Sequence, residues 1–164
     1  MRIREESVAG WDLPTAMALA ALSWMLLMVG HEVVGHGTAC VGLGGEALAV
    51  DAMYFTCSEL SSPGKDLLYR AAGSGFNVLV GVLSILILRR LKNPRSWLGY
   101  FLWISVLFNF LQSGAYVAFG RLIHPGMDWA KIVAAAPADS PRAVAVTIAG
   151  VALILAALLA GRLF

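Results

Sequence analysis

Four stretches of this 164-residue chain are apolar for about 20 residues or more, at about 15–43, 67–88, 97–119 and 144–163. That is the length a helix needs to cross the hydrocarbon core of a bilayer. Inside hydrocarbon every backbone N–H and C=O must be satisfied within the chain, so such segments are helices or closed barrels, and runs this long are helices. The predicted fold is therefore all-α: one membrane domain over 1–164, a polytopic integral membrane bundle of about four transmembrane helices. Composition agrees, with 59% hydrophobic and only 13% charged residues, against about 25% charged in a soluble domain. A net charge of +2 with no long basic run argues against nucleic acid as a partner and leaves membrane lipid as the surroundings. The start of the chain, "MRIREESVAGWDLP", is too acidic for a cleaved signal peptide, and the apolar run behind it is too long.

Basic residues set the expected orientation. Arg89, Arg90, Lys92 and Arg95 crowd the short loop between the second and third spans, which the positive-inside rule puts in the cytoplasm. With four spans both termini are then cytoplasmic, as Arg2, Arg4 and Arg162 favour and Arg121, Lys131 and Arg142 oppose. A multi-pass protein of the cell membrane is expected. The loop from Gly44 to Asp66 falls outside and alternates weakly over "ALAVDAMYFTC", which predicts a small strand or hairpin. Cys40 and Cys57 have no metal-site spacing; two free or buried thiols are expected, with a bridge as the alternative if both face an oxidising compartment.

The first span carries "GHEVVGHG". Ionisable residues within spans are rare, costly and usually functional. His31 and His36 are zinc-ligand types, and Glu32 beside the first is placed as a general base would be. Histidines five apart are separated by about 140° on a regular helix, too far to share one ion. A one-residue π-bulge in the α-helix brings i and i+5 onto nearly one face, and Gly35 is the residue expected to absorb that distortion. The bland alternative is a set of buried polar links between helices, with Glu32 and His36 paired. By this topology Asn77, Asn109 and Gln112 fall at similar depth in the outer half of the membrane, with His124 and Asp128 just beyond.

Catalytic zinc takes three protein ligands and keeps one position open. Asp128 is the favoured third ligand because Gly126 and Trp129 bracket it in a short stretch; its alternative is a solvated loop aspartate or the N-terminal charge of a short helix. His124 also qualifies by position, and Asp51, Glu59 and Asp66 lie on a more mobile loop.

The H-E-x-x-G-H spacing resembles the signature of the dipeptidyl-peptidase-three family of soluble zinc peptidases, in which both histidines bind the ion. More broadly, the chain resembles the site-2 protease family, membrane-embedded zinc metallopeptidases. "GHEVVGHGTACVGLGG" is similar to that family's H-E-x-x-H and its Gly-rich exit from the first core helix. "RAAGSGFNVLVG" is similar to its second core helix, with a G-x-x-x-N pattern from Gly73 to Asn77. "LFNFLQSGAY" resembles the helix carrying an Asn and then the ligand Asp. Two departures stand out: the histidines are one residue further apart, and no aspartate follows Asn109 until Asp128. The resemblance covers the first three spans. It implies a zinc cofactor, Glu32 as the base, and hydrolysis of a peptide bond in or beside the membrane, in a peptide or transmembrane protein substrate. It also implies that Asn77, Asn109 and Gln112 contact substrate or an oxyanion; their alternative is hydrogen-bond glue between helices. The rival class is a non-catalytic membrane bundle that uses the same histidines for a structural metal or for heme.

Overall fold

The structure is a computed structural model that describes residues 12–51, 53–123, 128–134 and 141–160. The first span is α1 (Leu13–Val29), a π-helical segment (Gly30–Gly37) and α2 (Thr38–Gly42) in one continuous rod. A hairpin of β1 (Ala47–Val50) and β2 (Phe55–Cys57) follows. Then come α3 (Pro63–Leu88), α4 (Trp97–Ile123), the short α5 (Asp128–Ala134) and α6 (Pro141–Ala160). Four helices are long and apolar enough to cross a membrane, which makes this a nearly all-α bundle of the multi-pass membrane type. The predicted His124 lies outside the described residues, as do the N-terminal basic residues Arg2 and Arg4.

Helix starts fall a few residues before the apolar runs because capping residues sit there. Asp12 Oδ1 accepts from Thr15 N at 2.7 Å ahead of Pro14. Ser62 Oγ accepts from Lys65 N ahead of Pro63. A proline in the first turn loses no hydrogen bond, since the first N–H groups have no partner inside the helix.

The burial pattern is that of a membrane protein. Leu26, Leu79, Leu83, Leu155 and Leu158 face outward, while Ser23, Asn77, Ser105, Asn109 and Ser113 are buried. A lipid-facing surface carries no penalty for apolar groups, whereas polar side chains must find partners inside. Ser23 and Ser105 share a 2.8 Å hydrogen bond that joins α1 to α4. The apolar core lies between α4 and α6, around Val106, Phe110, Ala157 and Ala160. Small residues let these backbones close in: a Cβ on Gly150 would stand 2.4 Å from Ala118 N on α4.

The hairpin is antiparallel, pairing Ala49 with Thr56 and Val50 with Phe55, with a register shift between Ala47 and Ala49. Contrary to the expectation of two thiols, Cys40 and Cys57 form a disulfide. The physical reason is the chain reversal after the first span. Gly44 takes φ 86° and turns the backbone, and Gly45 then lies so close that a Cβ on it would meet Cys57 Sγ at 2.5 Å and Cys40 Sγ at 3.0 Å. The hairpin is thereby tied back onto the end of the helix that carries the histidines.

Candidate metal centre

The five-residue spacing is accommodated by a π-helix rather than a one-residue bulge, over Gly30–Gly37. Its wider turn puts the His31 and His36 rings 5.0 Å apart, centroid to centroid, in an edge-on arrangement. Gly35 does not serve through unusual dihedrals, since Gly44 is the only described residue with positive φ. It serves by absence of bulk: a Cβ there would stand 2.6 Å from Gly73 Cα and 3.0 Å from Ala72 O. The π segment and α3 therefore touch backbone to backbone at this level.

That contact makes Gly73 the floor under both imidazoles. A Cβ on Gly73 would lie 2.5 Å from His31 Nε2 and 2.6 Å from His36 Nε2, so both Nε2 atoms aim at one spot. Each ring is fixed from behind. His36 Nδ1 donates to the Tyr69 carbonyl at 2.8 Å, and His31 Nδ1 is 3.0 Å from the Asn77 amide. Tyr69, Gly73 and Asn77 recur every four residues along one face of α3, so a single helix supplies the floor and both supports. Such partners behind ligand imidazoles are what orient them toward a metal.

Asp128 reaches the pair from the first residue of α5. One ligand atom each from His31, His36 and Asp128 lies within 4.8 Å of the others, which is a group able to hold a metal ion. His36 Nε2 is 3.2 Å from Asp128 Oδ2, close to the ~3.3 Å between ligands around a tetrahedral ion with bonds of 2.0–2.1 Å. Yet the two do not align as a hydrogen bond, and His36 Nε2 is buried without a partner. With Nδ1–H committed to Tyr69, a neutral His36 turns the Nε2 lone pair toward a carboxylate. Two facing lone pairs repel unless a cation or an added proton stands between them. The donor set therefore fits a cation that accepts nitrogen and oxygen ligands.

Asp128 is held in turn. Arg70 Nη1 donates to Asp128 Oδ1 at 3.2 Å, while Arg70 Nε donates to Asp66 Oδ2 at 2.7 Å. Trp129 Nε1 donates to Ser74 Oγ at 2.9 Å, docking α5 on α3. Burial pushes the Asp128 carboxyl up, but its close approach to His36 and the positive charge of Arg70 outweigh it. The group ends below the usual carboxylate range.

His31, His36, Arg70 and Asp128 line a cavity of about 600 Å³, with Glu32, Tyr116 and Phe55 on its walls. Glu32 is half-buried and lies beside the Phe55 backbone of β2. Tyr69 Oη donates to the Phe55 carbonyl at 2.9 Å, fixing that strand above the site.

The other polar residues singled out in the sequence lie elsewhere. Asn77, Asn109 and Gln112 are absent from the cavity wall. Asn77 is taken up by His31. Asn109 Nδ2 donates to Ser105 O one turn back on its own helix, and Gln112 Nε2 reaches Met28 Sδ at 3.5 Å. The similar depth expected for these residues from the topology does not put them on one face. Asp51 Oδ1 accepts from Met53 N, Asp66 pairs with Arg70, and Glu59 lines a separate surface depression. None joins the group among the described residues. Arg70 and Tyr116 escaped the sequence reading. Arg70 carried one available signal, a charge one turn into an apolar run and four residues after Asp66.

The fold and site together define a multi-pass helix bundle with a buried His/His/Asp group fit for a metal ion. Comparison with protein-family models, with curated proteins and with solved structures finds no match.

Proposed function

We propose that this chain is an intramembrane zinc metallopeptidase that hydrolyses a peptide bond in or next to the membrane. The observation that carries the reading is that Glu32 shares the cavity of His31, His36 and Asp128. A carboxylate beside three ligand residues, not among them, is the arrangement in which one group takes a proton while others hold the ion. His31, His36 and Asp128 would hold zinc, leaving a fourth position toward the cavity. Bound there, zinc would supply Lewis-acid polarisation of a carbonyl and would lower the pKa of water. Glu32 accepts the proton of the attacking water and returns it to the leaving amine. The substrate is a peptide or a transmembrane protein whose scissile bond enters from the hairpin end.

The orientation proposed for the chain puts both termini in the cytoplasm of a cell-membrane protein. The exposed basic loop of Arg89, Arg90, Lys92 and Arg95 supports it. The disulfide at the opposite end agrees, because disulfides persist in oxidising compartments.

The test pairs metal content with proteolysis. Purified protein is expected to carry about one zinc per chain, lost on replacing both histidines with alanine. Glu32→Gln is expected to keep the zinc and lower peptide cleavage by about 10²- to 10⁴-fold, the usual contribution of a general base. Zinc retained without His31 and His36 defeats the metal assignment. Zinc bound with no cleavage, or cleavage indifferent to Glu32→Gln, leaves a non-catalytic metal-binding bundle.

A further inference from the structure

We infer that Arg70 is a positioning residue for the metal centre, setting which oxygen of Asp128 faces the histidines. The inference rests on the metal reading above but not on proteolysis. Asp128 stands on a seven-residue helix that belongs to none of the four spanning segments. The histidines, by contrast, sit on a spanning rod packed against α3. The third ligand therefore has to be brought in from a separate element and held there.

Two side-chain contacts from α3 do this. The Trp129–Ser74 bond locates α5 but leaves the Asp128 side chain free to turn about its own bonds. Arg70 removes that freedom. Its Nε is committed to Asp66 one turn earlier on α3, at 2.7 Å, which fixes the guanidinium plane. Its Nη1 then meets Asp128 Oδ1 at 3.2 Å, and the remaining oxygen, Oδ2, is the one left 3.2 Å from His36 Nε2. A planar guanidinium has several donors in a fixed fork, so it can span two carboxylates at once; an ammonium on a flexible stem is a point charge without that geometry. Arg70 is itself mostly buried, its side chain 20% exposed, so water is a poor substitute for its contacts. The chain Asp66–Arg70–Asp128 thus transmits the geometry of α3 to a ligand on α5. Removing partners behind a ligand typically weakens metal affinity about 10- to 100-fold.

The experiment measures zinc affinity by chelator competition on full-length protein in detergent. It compares wild type, Arg70→Gln, Arg70→Lys, Asp128→Ala and the Arg70→Gln/Asp128→Ala double variant. Arg70→Gln is expected to weaken zinc binding about 10- to 100-fold, with Arg70→Lys intermediate because it returns charge without the fork. In the Asp128→Ala background Arg70→Gln is expected to change affinity less than twofold, since there is then no ligand to position; a merely structural arginine would weaken both backgrounds alike. If Arg70→Gln does not fold, Arg70→Lys carries the test, and wild-type affinity in that variant overturns the inference. Zinc lost on replacing the histidines but unaltered by Arg70→Gln overturns Arg70 alone. A wild-type chain that binds no zinc overturns both readings.

Discussion

Gly73→Ala is the smallest change that should empty the metal centre while leaving the helix intact. The added methyl would stand 2.5 Å from His31 Nε2, 2.7 Å from His31 Cδ2 and 2.6 Å from His36 Nε2. Reaching an ordinary contact of 3.4 Å requires each Nε2 to retreat by about 0.8–0.9 Å. Metal sites tolerate deviations of about 0.2 Å in bond length, and both rings are held from behind by Tyr69 and Asn77. The strain cannot be relieved by the backbone, because Gly35 already lies against Gly73 Cα. Forcing a methyl into a packed site costs about 1–3 kcal/mol. Alanine in a helix interior returns about 1 kcal/mol relative to glycine. The fold without metal should therefore change by no more than about 2 kcal/mol. Zinc affinity should fall by at least about 100-fold, since a ligand displaced this far contributes little to the ion. Gly75, two residues on, provides the control: a Cβ there meets nothing within 4 Å, so Gly75→Ala should bind zinc normally. Zinc stoichiometry by elemental analysis, with thermal unfolding alongside, reads both quantities. A Gly73→Ala protein that retains one zinc at wild-type affinity would refute the placement of the two Nε2 atoms over this glycine.

Two further outcomes follow from the hairpin end and the loop between α3 and α4. Replacing Cys40 and Cys57 with serine should lower stability by about 3 kcal/mol, the chain-entropy value for a loop of this size; a change below about 0.5 kcal/mol in thermal unfolding would show that the disulfide constrains nothing. A cysteine introduced at Lys92 should react with an impermeant thiol reagent only from the cytoplasmic side, the native pair being oxidised, and labelling from outside would reverse the orientation.

Much of the architecture was legible in the chain because a bilayer leaves few options. Long apolar runs become helices when there is no water to satisfy the backbone, and four runs gave four spanning helices whose ends, among the described residues, are displaced by four residues or fewer. A π-type widening was legible for a similar reason, since five-residue spacing between two histidines makes sense on one face only if the helix widens; that it extends over Gly30–Gly37 rather than a single bulge was not. What the chain could not display was azimuth. Asn77, Asn109 and Gln112 were expected at one depth, yet of the three only Asn77 bonds a histidine, because side-chain direction depends on how α3 and α4 rotate as they pack.

Contacts across long sequence separations belong to the tertiary structure alone. Nothing local distinguishes Gly73 from Gly75; packing against Gly35 puts one beneath both imidazoles and leaves the other in open space. Nothing local joins Cys40 to Cys57 until the turn at Gly44 and Gly45 brings the strand back to the helix. Asp128 and Arg70 stand 58 positions apart and meet only because Trp129 docks α5 on α3. Residue types, spacing and hydropathy determined which groups can do chemistry and what surroundings they need. Helix rotation and close packing decided which of them meet, since those depend on the shapes of all the neighbours at once.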